Sequence, residues 1–79
     1  MRVRVRFFAS LRETVGAAGR EVEADGGATV RTIWDLATDG REPPSRLLAS
    51  INLDYADLDD PVGEGDEVAF FPPVTGGER

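Results

Sequence analysis

The 79-residue chain, 41% hydrophobic and 30% charged, has the composition of one small globular domain with a modest core. Its net charge of −6 argues against nucleic acid, which wants a basic face, and suits a partner with a basic surface. There is no Cys, His or Lys, so disulfides, thiol chemistry, an imidazole base and Schiff bases are all excluded. No apolar run approaches the ~20 residues of a membrane span. The opening Met1-Arg2-Val3-Arg4-Val5-Arg6 alternates and has no signal-peptide core. The expectation is a cytoplasmic protein with no membrane and no nucleic-acid partner.

Residues 2–8 place Arg2, Arg4 and Arg6 on one face and Val3, Val5 and Phe7 on the other, as in a strand with one buried side. The Arg row reads either as an anion site or, more simply, as a solvated face paired across the sheet with Glu21 and Glu23. Ser10, with Glu13 three residues on, has the form of a capping box for a short helix. Leu11, Thr14 and Val15 give that helix an inward side, and Gly16 and Gly19 stop it. Residues 20–24 alternate again as a second strand, and Asp25-Gly26-Gly27 is a turn.

Thr29 is placed to cap the main helix. Val30, Ile33, Trp34 and Ala37 fall at i, i+3, i+4 and i+7, an apolar stripe that Leu36 widens. Gly40 ends the helix and Pro43-Pro44 forbids its continuation. At that spacing Trp34 is a core side chain closing under a sheet rather than a ligand platform. Residues 45–48 read equally as a helical turn or as the approach to a strand. Residues 49–53 read as a strand, 54–57 as a turn, and Leu58 as the return to a short edge strand. Residues 67–71 form the last strand.

The first and last strands are the most apolar, so they are the natural central pair, and a parallel pairing needs a long crossover containing a helix. The predicted architecture is an α+β β-grasp, or ubiquitin-like, fold. It has a mixed sheet of four to five strands with one main helix on one face, spanning residues 1–71, and a tail over residues 72–79.

The domain offers little chemistry of its own. The acids Asp54, Asp57, Asp59, Asp60, Glu64, Asp66 and Glu67 crowd one stretch, but their spacing does not fit an EF-hand loop. They read as solvated turns, with Asp66 capping one of them. Gly26-Gly27 and Gly63-Glu64-Gly65 lack the Lys and the strand-to-helix context of a phosphate cradle. With no imidazole base there is no triad.

The tail is different. Val68-Ala69-Phe70-Phe71 favours a half-buried strand, and Pro72-Pro73 ends it, because neither proline can donate to a ladder. The pair favours an extended conformation and so a stiff stalk pointing outward. Gly76 and Gly77 give that stalk a bare tip, and Phe71 to Gly77 could reach roughly 20 Å at about 3.3 Å per residue. Such an arm fits a narrow channel on another protein; the plainer reading is a frayed terminus.

Three segments carry a resemblance. Arg4-Val5-Arg6-Phe7-Phe8-Ala9-Ser10-Leu11-Arg12-Glu13, Ile51-Asn52, and the stretch from Gly65 through Phe70-Phe71-Pro72-Pro73-Val74-Thr75-Gly76-Gly77 are similar to the small subunit of molybdopterin synthase. That family comprises ubiquitin-like sulfur carriers. The resemblance runs from Arg2 to Gly77 and is most specific at its C-terminal end.

It implies that a partner enzyme adenylates the main-chain carboxylate of Gly77 with ATP. Sulfur then displaces AMP to leave a thiocarboxylate. The large catalytic subunit, in a heterotetramer, uses it to sulfurate a pterin precursor. The chain would be a non-catalytic carrier with no bound cofactor, Gly76 being the slim residue behind the reactive one. The resemblance also implies that Val74 and Thr75 are tail contacts, that Pro72 and Pro73 are the stalk, and that Phe71, Tyr55 and Arg12 form the partner patch. An ordinary loop aromatic is the competing reading of Tyr55.

The family ends at its second glycine, whereas Glu78 and Arg79 follow Gly77 here. Their removal by a processing peptidase is the preferred expectation; the other two readings are a variant end and a chain that has lost the carrier role. The alternatives are a carrier for thiamine, cysteine or tRNA thiolation, and a ubiquitin-like binding module whose tail is never activated.

Overall fold

A computed structural model describes residues 1–73 of the chain. They form β1 (Arg2–Phe7), α1 (Ser10–Val15), β2 (Gly19–Glu23), α2 (Val30–Thr38), β3 (Leu48–Ile51), β4 (Asp54–Ala56) and β5 (Glu67–Phe71). The strands make one mixed sheet in the order β2-β1-β5-β3-β4. The first and last strands are parallel neighbours, with Val5 beside Val68 and Phe7 beside Phe70. Every other pairing is antiparallel. This is the predicted β-grasp, with the parallel pair near the middle of the sheet and α2 across one face.

Alternation in β1 decides which face is which. Val3, Val5 and Phe7 are buried and Arg2, Arg4 and Arg6 are exposed. The apolar stripe of α2 closes on the same side, since Val30, Ile33, Trp34 and Ala37 have no accessible surface. Trp34 crosses Phe70 edge-on, with centroids 5.0 Å apart and planes at 80°, and Phe7 at 6.0 Å and 77°. Edge-to-face packing sets the electropositive rim of one ring against the electronegative face of another. The Trp34 Nε1–H donates to the Arg41 carbonyl at 2.6 Å, so the buried indole keeps its hydrogen bond and ties down the loop after α2.

The cap of α2 is the predicted one: Thr29 Oγ1 accepts from the Thr32 N–H at 3.3 Å, and Thr32 Oγ1 accepts from the Thr29 N–H at 3.2 Å. The helix leaves through two left-handed residues, Asp39 at φ 57° and Gly40 at φ 81°.

Four local expectations change. Ser10 is the first helical residue of α1 and not its cap. The cap is Ala9, at φ 54° and ψ −133°, and no side chain bonds there. The reason is β1, whose ladder runs on to the Phe8 N–H, bonded to the Phe70 carbonyl at 3.1 Å. The chain must turn within one residue, and that residue is Ala9. Thr14 faces solvent, its hydroxyl donating to the Ser10 carbonyl at 3.1 Å, so Leu11 alone anchors α1 fully in the core.

Leu36 does not widen the buried stripe of α2: it is 44% exposed, because the sheet reaches only the face carrying Ile33, Trp34 and Ala37. Finally, residues 54–56 are the edge strand, and the turn is Asn52-Leu53. Ile51 pairs with Asp54 across a two-residue loop, so pairing with β3 overrides the weak strand preference of Asp54. Leu58 lies in the following loop, half-buried against the core.

Candidate functional site

The face of the sheet that α2 leaves open has two zones. Toward the β2 edge it is charged and internally paired. The Arg2 Nε lies 3.0 Å from a Glu23 carboxylate oxygen and 3.9 Å from Glu21, and an Arg6 nitrogen lies 3.8 Å from Glu67. The hydrogen bond to Glu23, with the charges of Glu23 and Glu21, raises the Arg2 guanidinium above its ordinary value. Arg2 and Arg6 are thus ion-paired across the sheet, which favours the solvated-face reading over an anion site.

Toward the end of β5 the same face turns apolar. Phe70 and Phe71 split across the sheet: Phe70 is fully buried and Phe71 is half-buried on the open side. Phe71 stacks on Phe8, with centroids 5.0 Å apart and planes 6° apart. The Arg6 guanidinium carbon sits 5.5 Å from the centroid of the Phe8 ring. Phe8 was missed in reading the sequence. The signal was available, because two adjacent aromatics where a strand ends must also split between faces.

Register places the remaining residues. Ser50 pairs with both Ala69 and Tyr55, so Tyr55 lies on this same face, 83% exposed. Leu53, at the β3–β4 turn, lines a shallow concavity with Phe8, Ala69 and Phe71 and is 89% exposed. Phe71 and Tyr55 thus share one surface, with Phe8 and Leu53 added to it. Arg12 is exposed on α1, the helix anchored by Leu11, and not on the sheet.

The tail leaves from the edge of this patch. Pro72 and Pro73 follow Phe71 directly and are half-buried. They line a cleft with Leu11 and Thr14 of α1, and with Trp34 and Pro44 on the other side. The stalk therefore starts seated against the domain and not free in solvent. Val74, Thr75, Gly76 and Gly77, with Glu78 and Arg79, lie outside the described residues.

Among the described residues, no group of three or more His, Cys, Asp or Glu side chains is placed to hold a metal ion. No helix among them is long and apolar enough to cross a membrane. What the site can do is dock one surface against a partner while presenting the chain that follows Phe71.

Comparison with known proteins identifies this arrangement. The ThiS family model matches residues 5–77, stopping at the second tail glycine. The molybdopterin synthase sulfur carrier subunit of Escherichia coli is 42% identical, covering 95% of this chain and 99% of its own. Small archaeal modifier protein 1 of Haloferax volcanii is 35% identical over 91% of this chain and 97% of its own. The crystal structure of SAMP1 from Haloferax volcanii superposes with a TM-score of 0.80 at 32% identity, covering 98% of this chain and all of the other. With its β-grasp sheet, its apolar face at the base of a Gly-Gly tail and this nearly end-to-end match, the chain belongs to the ThiS family of ubiquitin-like sulfur-carrier proteins.

Proposed function

We propose that this chain is the sulfur carrier subunit of a molybdopterin synthase. An adenylating enzyme of the E1-like class activates the Gly77 carboxylate. That carboxylate attacks the α-phosphate of ATP, pyrophosphate leaves, and a sulfur donor then displaces AMP to give the thiocarboxylate. The large subunit receives the tail in its active site and transfers the sulfur to a pterin precursor. Two carriers and two large subunits make the assembly. The carrier supplies a thin, reachable end and a docking face, and no side-chain catalysis.

One observation carries this reading. The outward-facing aromatic of the patch, Phe71, and the first residue of the stalk, Pro72, are consecutive. A partner that covers the patch therefore receives the tail at a fixed place. The relatives named as molybdopterin synthase sulfur carrier subunits support the large subunit as that partner.

Residues follow Gly77, and charging requires Gly77 to be terminal. The proposal therefore includes a peptidase that cleaves after Gly77, and the family match ending there supports it. The test compares the 79-residue chain with a version ending at Gly77, each incubated with the adenylating enzyme, ATP and a sulfur donor. Mass spectrometry should find one oxygen replaced by sulfur only in the shorter chain. Failure of the shorter chain to accept AMP would remove the proposal.

A second reading rests on the likeness to small archaeal modifier protein 1. The same activated carboxyl group could instead be joined to an amine on a target protein. The chain itself has no Lys, so it cannot build polymers through its own side chains.

A further inference from the structure

The loop between β3 and β4 consists of two residues, Asn52 at φ 51° and Leu53 at φ 76°. Both lie in the left-handed region, as a type I′ hairpin turn requires. Asn is well suited to that region. The second position is the one at which Gly is normally found, and a branched Leu there crowds its own backbone.

Leu53 gains nothing in return from its own domain, since it is 89% exposed, the most exposed of the large apolar side chains among the described residues. It carries both backbone strain and unfavourable hydration.

The turn has no freedom to relieve that strain. The Asn52 N–H donates to the Glu67 carbonyl at 2.8 Å. The Asn52 side chain accepts from the Glu67 N–H at 3.0 Å and donates to Asp66 at 2.9 Å. Three hydrogen bonds clamp the hairpin tip to the start of β5. Strain persists where its surroundings over-determine it, and such places are commonly functional.

We infer that Leu53 is a pre-organised anchor for the partner that receives the tail, inserting into an apolar socket on that partner. This rests on the docking reading above and extends it from the aromatic residues of the patch to the hairpin tip beside them. Two observations select this occupant. Leu53 lines the same concavity as Phe8 and Phe71, which adjoin the base of the tail. Asp54 and Asp66 flank the tip in a chain of net charge −6, so the socket should be rimmed by Arg or Lys. Holding the backbone of the tip fixed in the free protein lowers the entropy lost on binding.

Two variants isolate the role. Leu53→Asn keeps a residue that accepts the left-handed backbone but removes the apolar anchor. Leu53→Met keeps an apolar side chain. Binding to the molybdopterin synthase large subunit is measured by calorimetry, with thermal unfolding of each variant and Phe71→Ala as a reference.

The expected result for Leu53→Asn is at least tenfold weaker binding with an unchanged or higher Tm, while Leu53→Met stays within about threefold of the parent. Leu53→Asn binding within threefold, or losing Tm, overturns the inference. If Phe71→Ala weakens binding and Leu53→Asn does not, only the anchor falls. If the parent chain does not bind the large subunit, the docking reading falls and takes the anchor with it.

Discussion

Phe8 and Phe71 stack with centroids 5.0 Å apart, although 62 positions separate them in the chain, one just past the end of the first strand and one at the end of the last. The Phe8 N–H bonds to the Phe70 carbonyl, so the parallel ladder itself brings the two rings together. Neither is fully buried. A stacked aromatic pair left half-open beside the origin of the tail is the expected form of an interface hot spot.

Replacing either ring by Ala should therefore separate binding from folding. Each of Phe8→Ala and Phe71→Ala should cost the large-subunit complex about 2 kcal/mol or more, as buried aromatic anchors do. Partial exposure should limit the loss of folding stability to about 1–2 kcal/mol. Calorimetric titration against the large subunit and urea unfolding check the two numbers. A variant that loses stability without losing affinity would make the pair a structural contact only.

Trp34 should behave in the opposite way. Trp34→Ala would open a cavity at the meeting point of Phe7, Phe70 and α2, at a cost of about 3–5 kcal/mol. That is a large share of the total for a domain of this size, at roughly 0.05–0.15 kcal/mol per residue. Trp34→Phe keeps the ring packing but leaves the Arg41 carbonyl without its 2.6 Å donor, which costs about 1–3 kcal/mol. Urea midpoints should fall in the order parent, Phe variant, Ala variant.

The cap at Thr29 gives a smaller and cleaner measurement. Thr29→Ala removes the acceptor for the Thr32 N–H and should destabilise by about 1 kcal/mol, whereas Thr29→Asn should be nearly neutral. Equilibrium unfolding distinguishes the two. Equal losses from both would mean that the hydroxyl-to-hydroxyl contact with Thr32, at 3.1 Å, is what the helix start depends on.

Asn52→Ala tests the clamp at the hairpin tip. It removes two side-chain hydrogen bonds to residues 66 and 67 and puts Ala at φ 51°, for a loss of about 1–3 kcal/mol. Amide exchange should accelerate first in β4, which is held only by β3, before it does so in β1 or β5.

Much of this was legible in the sequence wherever one physical rule acted alone. The alternation of Val3, Val5 and Phe7 needed nothing but the two-residue period of a strand. The stripe of Val30, Ile33, Trp34 and Ala37 needed only the helical period. The parallel pairing of the end strands followed from their apolar character. Misreadings came where two rules competed. Ser10 looks like a cap from its own chemistry, but the ladder to Phe70 moves the start of the helix. Asp54 and Asp57 look like turn residues, but pairing across Ile51 makes Asp54 part of a strand. Leu53 was the least legible, because nothing local distinguishes a strand residue from one held in a left-handed turn. At the site, the resemblance pointed to Phe71, while Phe8 and Leu53 emerge only once β5 brings distant segments side by side.

The position of β5 between β1 and β3 has a consequence for synthesis. Both neighbours wait for a partner that is made after them, so the sheet cannot close until β5 has been synthesised. A truncated product lacking that strand would be an open, unfinished sheet fit for degradation. Without β5 the sheet would fall into two separate pairs, β2 with β1 and β3 with β4.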